Sequence, residues 1–209
     1  KKRPPRPARG TADAPQRAIH DAEQGTTLPG TLVRSEGGAD TGDREVSEAY
    51  DGLGATWDLW QGSYGRNSLD GRGLPLIATV HFGRDYENAF WDGTQMTYGD
   101  GAGNARPLTS IDVAAHEMSH GVTENTANLV YSGDAGGLNE ATSDIFGTAV
   151  EFYAGNAGDP GDYLIGEKIN INGDGTPLRY MDQPSKDGAS QDCWSTGTKN
   201  LDPHYSSGP

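Results

Sequence analysis

The stretch from Ala115 to Asp144 reads A-H-E-M-S-H-G-V-T-E-N-T-A-N-L-V-Y-S-G-D-A-G-G-L-N-E-A-T-S-D. His116 and His120 in this stretch are four residues apart. On a helix, this spacing places the two imidazoles on one face, about 6 Å apart along the axis, so both rings can reach one point. Two neutral imidazoles supply half of a tetrahedral zinc site. Glu117 lies on nearly the same face, is not needed as a ligand, and is therefore free to accept a proton from water at the metal.

A third ligand must come from elsewhere, and Glu140 is the best candidate. It follows His120 after 19 intervening residues. A second helix is predicted around Glu140 because apolar residues recur there at helical spacing, namely Leu138, Ala141, Ile145, Ala149 and Phe152. Asp144 lies one turn later on the face of Glu140, where its carboxylate can accept the other ring N–H of a ligand histidine. The pattern predicts a His2Glu zinc site with one open position, which is typical of catalytic sites.

A lone H-E-x-x-H motif arises by chance in roughly one chain of this length in a couple of hundred. By itself it would leave the metal undecided. An acid pair at i, i+4 on a second helix favours zinc over coincidence.

These motifs also carry a family resemblance. H-E-M-S-H-G-V-T followed by N-E-A-T-S-D resembles the thermolysin family of neutral metalloendopeptidases, and the 19-residue gap is the spacing of that family. The related zinc aminopeptidases have a gap of about 18 residues and an N-terminus-binding motif that this sequence lacks. The likeness runs from about residue 46 to residue 209.

The resemblance implies an α+β, two-lobed fold. We expect a disordered basic, Pro-rich tail over residues 1–16 and a β-rich N-terminal catalytic lobe with the zinc-site helix over 17–128. The start of a mainly helical C-terminal lobe, truncated here, is expected over 129–209. Locally, the pattern predicts helices over 43–65, 111–126 and 135–153, and strands over 75–82, 88–91 and 95–98.

The composition limits the classes of function. The 209 residues carry a formal net charge of −14, and five of the 16 basic residues precede Gly10. So acidic a body argues against a nucleic-acid partner, although a basic tail could also serve as a nucleic-acid or membrane arm. Acidity suits a secreted, extracellular protein that binds Ca2+, or serves solubility alone. No apolar run is long enough to span a membrane, and no signal peptide is present, so an exported form is expected to have lost its leader. Cys193 is the only cysteine, either a free thiol or one with a partner outside this sequence.

The resemblance implies further site residues. In N-A-F-W-D-G-T-Q-M-T-Y-G-D-G, Asn88 and the backbone of Ala89 would hydrogen-bond an extended substrate along an edge strand; a plain hairpin is the alternative. Tyr131 and His204 would stabilise the oxyanion, and Asp202 would keep His204 protonated. Arg179 would bind a substrate carbonyl, or else form a surface ion pair.

Calcium is expected at acidic residues that cross-brace the two helices and the following loop. The residues are Asp112, Glu151, Asp162 and Glu167. Asp159 competes with Asp162, and Leu164 stands where some members have an acid, so one Ca2+ is expected rather than a close pair. Solvated acidic loops without a metal are the alternative.

An apolar substrate pocket is the last implication of the resemblance. It would be formed by Leu108, Val113, Ile165, Ile169 and Leu178, and would select a bulky apolar side chain after the scissile bond; ordinary core packing is the alternative.

The sequence therefore predicts a secreted zinc metalloendopeptidase with one catalytic Zn2+ and structural Ca2+, acting on peptide or protein substrates. The alternative, from another class, is a zinc- and calcium-binding scaffold without turnover. It is favoured by the missing part of the helical lobe, which a separate C-terminal polypeptide could supply.

Overall fold

The computed structural model describes residues 14–193. The basic segment before residue 14, as well as Asp202 and His204, lie outside the described residues. The described chain is α+β, as predicted. In order it forms β1 (Arg17–Asp21), β2 (Thr31–Ser35), α1 (Arg44–Tyr64), β3 (Leu76–Val80), β4 (Ala89–Trp91), β5 (Met96–Tyr98), a 3-10 turn (Ala102–Asn104), α2 (Ile111–Glu124), α3 (Gly133–Ala154), β6 (Leu164–Ile165), β7 (Arg179–Tyr180) and a second 3-10 turn (Pro184–Asp187).

Five strands form one mixed sheet in the order β2-β1-β3-β5-β4. The central pairs β1–β3 and β3–β5 are parallel, whereas the outer pairs β1–β2 and β4–β5 are antiparallel. The β4–β5 hairpin turns at Asp92, whose side chain accepts the backbone N–H groups of Thr94 and Gln95. This topology leaves β4 at the edge of the sheet, where its outer backbone groups are open to pairing.

Helix α1 follows its sequence pattern closely. Asp43 caps it by accepting the Val46 N–H at 3.1 Å, and Gly65 ends it in the left-handed conformation at φ 61°. The apolar face is buried against the sheet and α2, and comprises Val46, Ala49, Tyr50, Leu53 and Trp57. Gly52 lies in the middle of the helix because a Cβ there would come within 2.7 Å of the Ala114 Cβ on α2.

Helices α2 and α3 are in close contact. A Cβ on Gly147 would lie 2.7 Å from the backbone oxygen of Asp112. The first helix ends two residues earlier than the sequence pattern suggested, and the second starts two residues earlier. The close approach at Gly147 sets the distance between the helices that carry the predicted ligands.

The faces of α3 are distributed in an unexpected way. The apolar stripe that predicted the helix faces solvent, with Leu138, Ile145 and Phe152 at least half exposed. The face buried against α2 is mostly polar and small: Gly136, Asn139, Ser143, Asp144, Gly147, Thr148, Val150 and Glu151. Helical spacing therefore identified the helix but did not identify its buried side.

Most of the apolar core lies between the sheet and helices α1 and α2. Tyr98, Ile19, Leu53 and Met118 are among its fully buried side chains. Among residues 14–193, no helix is both long and apolar enough to cross a lipid bilayer.

Candidate active site

Three side chains converge between α2 and α3. The Nε2 atom of His116 lies 3.2 Å from Glu140 Oε2, and that of His120 lies 3.4 Å from Glu140 Oε1. The two Nε2 atoms are 3.1 Å apart. A tetrahedral zinc ion with bonds of about 2.0–2.1 Å needs ligand atoms about 3.3 Å apart. The donor types and their separations therefore fit zinc.

Asp144 orients the first histidine. Its Oδ1 lies 2.6 Å from His116 Nδ1, and Arg179 donates to the same carboxylate through Nε at 2.6 Å and through Nη2. Burial opposes the charge on Asp144, but the hydrogen bonds from His116 and Arg179 hold the pKa of Asp144 well below its usual range. The ionised carboxylate accepts a hydrogen bond from the Nδ1–H group of His116, and Nε2 of the same ring faces Glu140.

In the metal-free chain, His116 binds a proton tightly. Burial disfavours the charged ring, but hydrogen bonds to Asp144 and Glu140 outweigh it and raise the pKa of His116 to about 10. A metal ion must displace this proton, so zinc binding at this centre is coupled to proton release.

The second histidine has neutral hydrogen-bond partners. The Nδ1 of His120 lies 2.7 Å from Asn139 Oδ1 and 3.1 Å from Ser143 Oγ. Burial and the charge of His116 lower the pKa of His120, which favours the neutral ring that a metal needs. Sequence reasoning missed both partners. They precede Glu140 and Asp144 by one residue each, so they form a second i, i+4 pair on the same side of α3.

Glu117 lines the same cleft without belonging to the group of ligand atoms. Burial raises the pKa of its carboxyl group to about 7, against the opposing charge of His116. The backbone N–H of Trp91, on the edge strand, hydrogen-bonds to the carboxylate. A carboxylate with this pKa is matched to proton transfer near neutral pH.

A cleft of about 810 Å3 runs along these groups, between β4, α2 and α3. Most of the predicted substrate-binding residues line it, namely Asn88, Ala89, Leu108, Val113, Leu178 and Arg179, and so does Tyr131, the predicted oxyanion donor. Ile165 and Ile169 are not among its lining residues and are almost fully buried.

Trp91 and Glu124 are among the cleft residues that were not predicted. The indole N–H of Trp91 donates to Glu124 at 2.9 Å, and both residues line the cleft. Glu124 lies two turns after Glu117 on α2, a spacing that could have indicated the shared face.

A second group of acids joins α2, α3 and the loop that follows. Oxygen atoms of Glu151, Asp159 and Glu167 lie within 4.8 Å of one another. Asp112 lies beside this group, since its charge contributes to the raised pKa values of Glu151 and Glu167. Asp159 thus takes the place expected for Asp162, whose side chain instead accepts the Leu164 N–H.

The electrostatics of this acidic group point to a cation. Burial and the neighbouring carboxylates raise the pKa of Glu151 to about 7 and that of Glu167 to about 8. Glu151 Oε1 and Glu167 Oε2 are buried and have no hydrogen-bond partner among residues 14–193. Hard carboxylate oxygens in this number fit Ca2+.

Comparisons with known proteins agree on a family. The thermolysin metallopeptidase catalytic domain matches residues 10–124, and the alpha-helical domain of the same family matches residues 127–209. The chain is 65% identical over 164 residues to a transglutaminase-activating metalloprotease of Streptomyces mobaraensis, covering 78% of this chain and 21% of that protein. It is 49% identical over 172 residues to an extracellular metalloprotease of Pectobacterium carotovorum, covering 80% of this chain and 50% of that protein.

A solved structure shows the same fold. The precursor of protealysin, a metalloproteinase from Serratia proteamaculans, superposes with a TM-score of 0.71 at 48% identity, covering 77% of this chain and 51% of that one. The chain thus spans between about a fifth and a half of the length of these relatives.

Loss of the Asn139 amide should weaken zinc binding. Asn139→Ala removes the acceptor on His120, and we expect zinc affinity to fall about 10- to 100-fold. Competition with a chromophoric chelator measures this. Thr142→Ala, on the same helix but outside the ligand group, is the control and should bind zinc like the wild type. Unchanged affinity in Asn139→Ala would show that this hydrogen bond does not support the ligand.

Calcium should stabilise the chain more strongly at higher pH. The pKa values of Glu151 and Glu167 are raised in the folded chain, so their contribution to stability is complete below about pH 4.5 and is lost as pH rises through about 7 to 8. Calcium offsets this loss. We expect added Ca2+ to raise Tm more at about pH 8 than at about pH 6. Glu167→Gln should reduce the difference and Glu23→Gln, on the surface, should not; equal Ca2+ effects at both pH values would contradict the assignment.

Proposed function

The chain belongs to the thermolysin metallopeptidase family, and on this premise we propose that it is a zinc-dependent endopeptidase. The observation that supports this most directly is the convergence of His116, His120 and Glu140 beside the partly buried Glu117. Zinc, when bound, supplies Lewis acidity that makes water reactive near neutral pH and polarises a carbonyl group. The residues of the chain supply the remaining chemistry.

Glu117 is the general base of this proposal. Its pKa of about 7 leaves a substantial ionised fraction at neutral pH, while burial keeps it a strong acceptor. It accepts a proton from the attacking water and then donates it to the leaving amine. The Trp91 N–H holds the carboxylate in the cleft.

Substrate binding is assigned to the edge strand and the opposite wall. An extended peptide would add to β4 at Asn88 and Ala89 by β-augmentation. Arg179 is fixed by its two bonds to Asp144, and a guanidinium has five N–H donors, so others are available for a substrate carbonyl. Leu108, Val113 and Leu178 give the cleft an apolar part, which suits a bulky apolar side chain after the scissile bond.

Charge that develops on the carbonyl oxygen needs donors besides the metal. Tyr131 is assigned this role because its ring lies at the cleft, 6.0 Å from the His120 ring centre, and is about half exposed. His204, kept protonated by Asp202, is proposed as the second donor.

We place the protein outside the cell, together with the relative that is named an extracellular metalloprotease. Its substrates are peptides or proteins. The formal net charge of −14 is consistent with a secreted enzyme that uses Ca2+ for stability.

The exposed face of α3 supports a second candidate function. Leu138, Ile145 and Phe152 are 58%, 55% and 50% exposed, and an apolar stripe of this kind normally faces a partner. We propose that a further polypeptide covers this face. Without it, the chain would act as a zinc- and calcium-binding scaffold with no turnover.

Glu117→Gln tests the mechanism. The substitution removes the proton acceptor and leaves the three ligands, so we expect zinc content to be retained and kcat to fall by about 10²- to 10⁴-fold. An internally quenched peptide reports turnover, and a zinc chelator should abolish it in the wild type.

Glu87→Gln, exposed on the surface, is the matched control and should retain activity. Near-normal turnover in Glu117→Gln would refute the assignment of the base. Zinc binding without any turnover in the wild-type chain would instead favour the scaffold.

The coverage of α3 can be tested with an environment-sensitive dye. We expect Ile145→Ser combined with Phe152→Ser to reduce the fluorescence of bound anilinonaphthalene sulfonate, because the exposed apolar area shrinks. Leu32→Ser, on β2 and 55% exposed, is the control and should have little effect. Native mass spectrometry should detect a companion polypeptide in the natural protein, and its absence together with full activity would exclude one.

A further inference from the structure

A third cluster of side chains of the types that ligate metals lies where the N-terminus of α1 meets the end of β3. It contains Asp43, Glu45 and His81, and one ligand atom from each lies within 4.8 Å of the others. A fourth residue, Asp100, stands behind the imidazole. None of these residues belongs to the zinc ligands or to the acidic group around Glu151.

His81 is held between carboxylates on both sides. Its Nδ1 lies 3.0 Å from each oxygen of Asp100, and its Nε2 lies 3.1 Å from Asp43 Oδ2. Asp100 is almost fully buried, whereas the ring of His81 remains partly exposed. When the ring is neutral, its Nδ1–H group donates a hydrogen bond to Asp100, and the Nε2 lone pair points towards Asp43.

This arrangement repeats the one at the candidate active site. There, Asp144 bonds to Nδ1 of His116 and Nε2 faces Glu140 at 3.2 Å. Here, Asp100 bonds to Nδ1 of His81 and Nε2 faces Asp43 at 3.1 Å. A carboxylate behind the histidine is the usual support of a histidine that ligates a metal.

The two acids of the cluster are brought close to each other. Asp43 uses Oδ1 to cap α1 through Val46 and directs Oδ2 to His81. A carboxylate oxygen of Glu45 lies within 4.8 Å of an oxygen of Asp43, so a cation between them would offset the repulsion of the two charges. Arg44 also approaches this pair, with its guanidinium 3.5 Å from Glu45, and it is mostly exposed.

We propose that Asp43, Glu45 and His81 form a third metal site, which binds a divalent transition-metal ion through one imidazole nitrogen and two carboxylate oxygens. The imidazole favours an ion such as Zn2+ over Ca2+ or Mg2+, which prefer oxygen ligands alone. Asp100 is the residue that orients His81.

The site would tie three parts of the fold together. Asp43 and Glu45 belong to the start of α1, His81 directly follows β3, and Asp100 lies in the segment between β5 and α2. His81 adopts φ 53°, an uncommon conformation for a residue with a side chain, which places its ring between the two acids. A bound ion would cross-link these elements independently of the catalytic centre.

Zinc stoichiometry of the full chain tests the proposal. The protein is dialysed against micromolar free Zn2+ at neutral pH with millimolar Ca2+ present, so that calcium occupies the acidic group around Glu151. Metal analysis should give two zinc ions per wild-type chain and one for His81→Gln. His116→Gln should lose the other ion and retain this one.

Two further variants separate ligation from folding and from surface binding. Glu45→Gln keeps His81 with both of its aspartate partners, and should weaken the second zinc at least 10-fold with an unchanged circular dichroism spectrum. It decides the matter if His81→Gln does not fold. His20→Gln alters a histidine outside the cluster and should retain two ions. A single zinc in the wild type, or a second zinc that survives both His81→Gln and Glu45→Gln, would overturn the proposal.

Discussion

The contact between α2 and α3 is the constraint on which the candidate active site depends. Gly147 permits it, because any side chain would meet the backbone of Asp112. At this separation the side chain of Glu140 reaches Nε2 of both His116 and His120, and Asp144 reaches Nδ1 of His116. The face of α3 that packs against α2 is mostly polar. Charged hydrogen bonds there replace the packing energy that a buried apolar stripe would give. In our proposal, metal coordination adds to them.

Much of this could be predicted from the sequence. The α+β class and the capping of α1 by Asp43 follow from local patterns, and the convergence of His116, His120 and Glu140 follows from helical spacing together with one gap. Such features depend on geometry within a single helix or on a motif with few structural solutions.

The remaining features depend on tertiary contacts. Asn139 and Ser143 resemble ordinary polar helix residues until α2 is packed against them. Asp159 lies with Glu151 and Glu167, whereas the Asp162 side chain accepts the Leu164 N–H, and neither contact follows from local sequence patterns. Hydrophobic periodicity does not identify the buried side of α3. It predicts that the apolar stripe is buried, whereas in the structure the mostly polar face is buried against α2. Ile165 and Ile169 are apolar at a suitable spacing, yet they pack inward rather than along the cleft.

Among residues 14–193, carboxylates lie close together in three places: the candidate active site, the group around Glu151, and the start of α1. Like charges at short range raise pKa values or attract cations, and the 16 lysines and arginines cannot neutralise 30 acids. The clustered carboxylates therefore need positive charge from bound metal ions, from protons or, at Asp144, from Arg179. Such a protein is expected to respond to the ionic composition of its surroundings more than to ionic strength alone.

One carboxylate, Asp144, bonds to both His116 and Arg179. The first residue belongs to the proposed zinc ligands, and the second stands on β7 at the wall of the cleft. A substrate that draws the Arg179 guanidinium away from Asp144 would change the basicity of the His116 imidazole. Conversely, a metal ion bound to that imidazole would change the strength of the bond between Asp144 and Arg179. Thermodynamic reciprocity then requires that the occupancy of the cleft and the retention of the metal ion influence each other by the same factor.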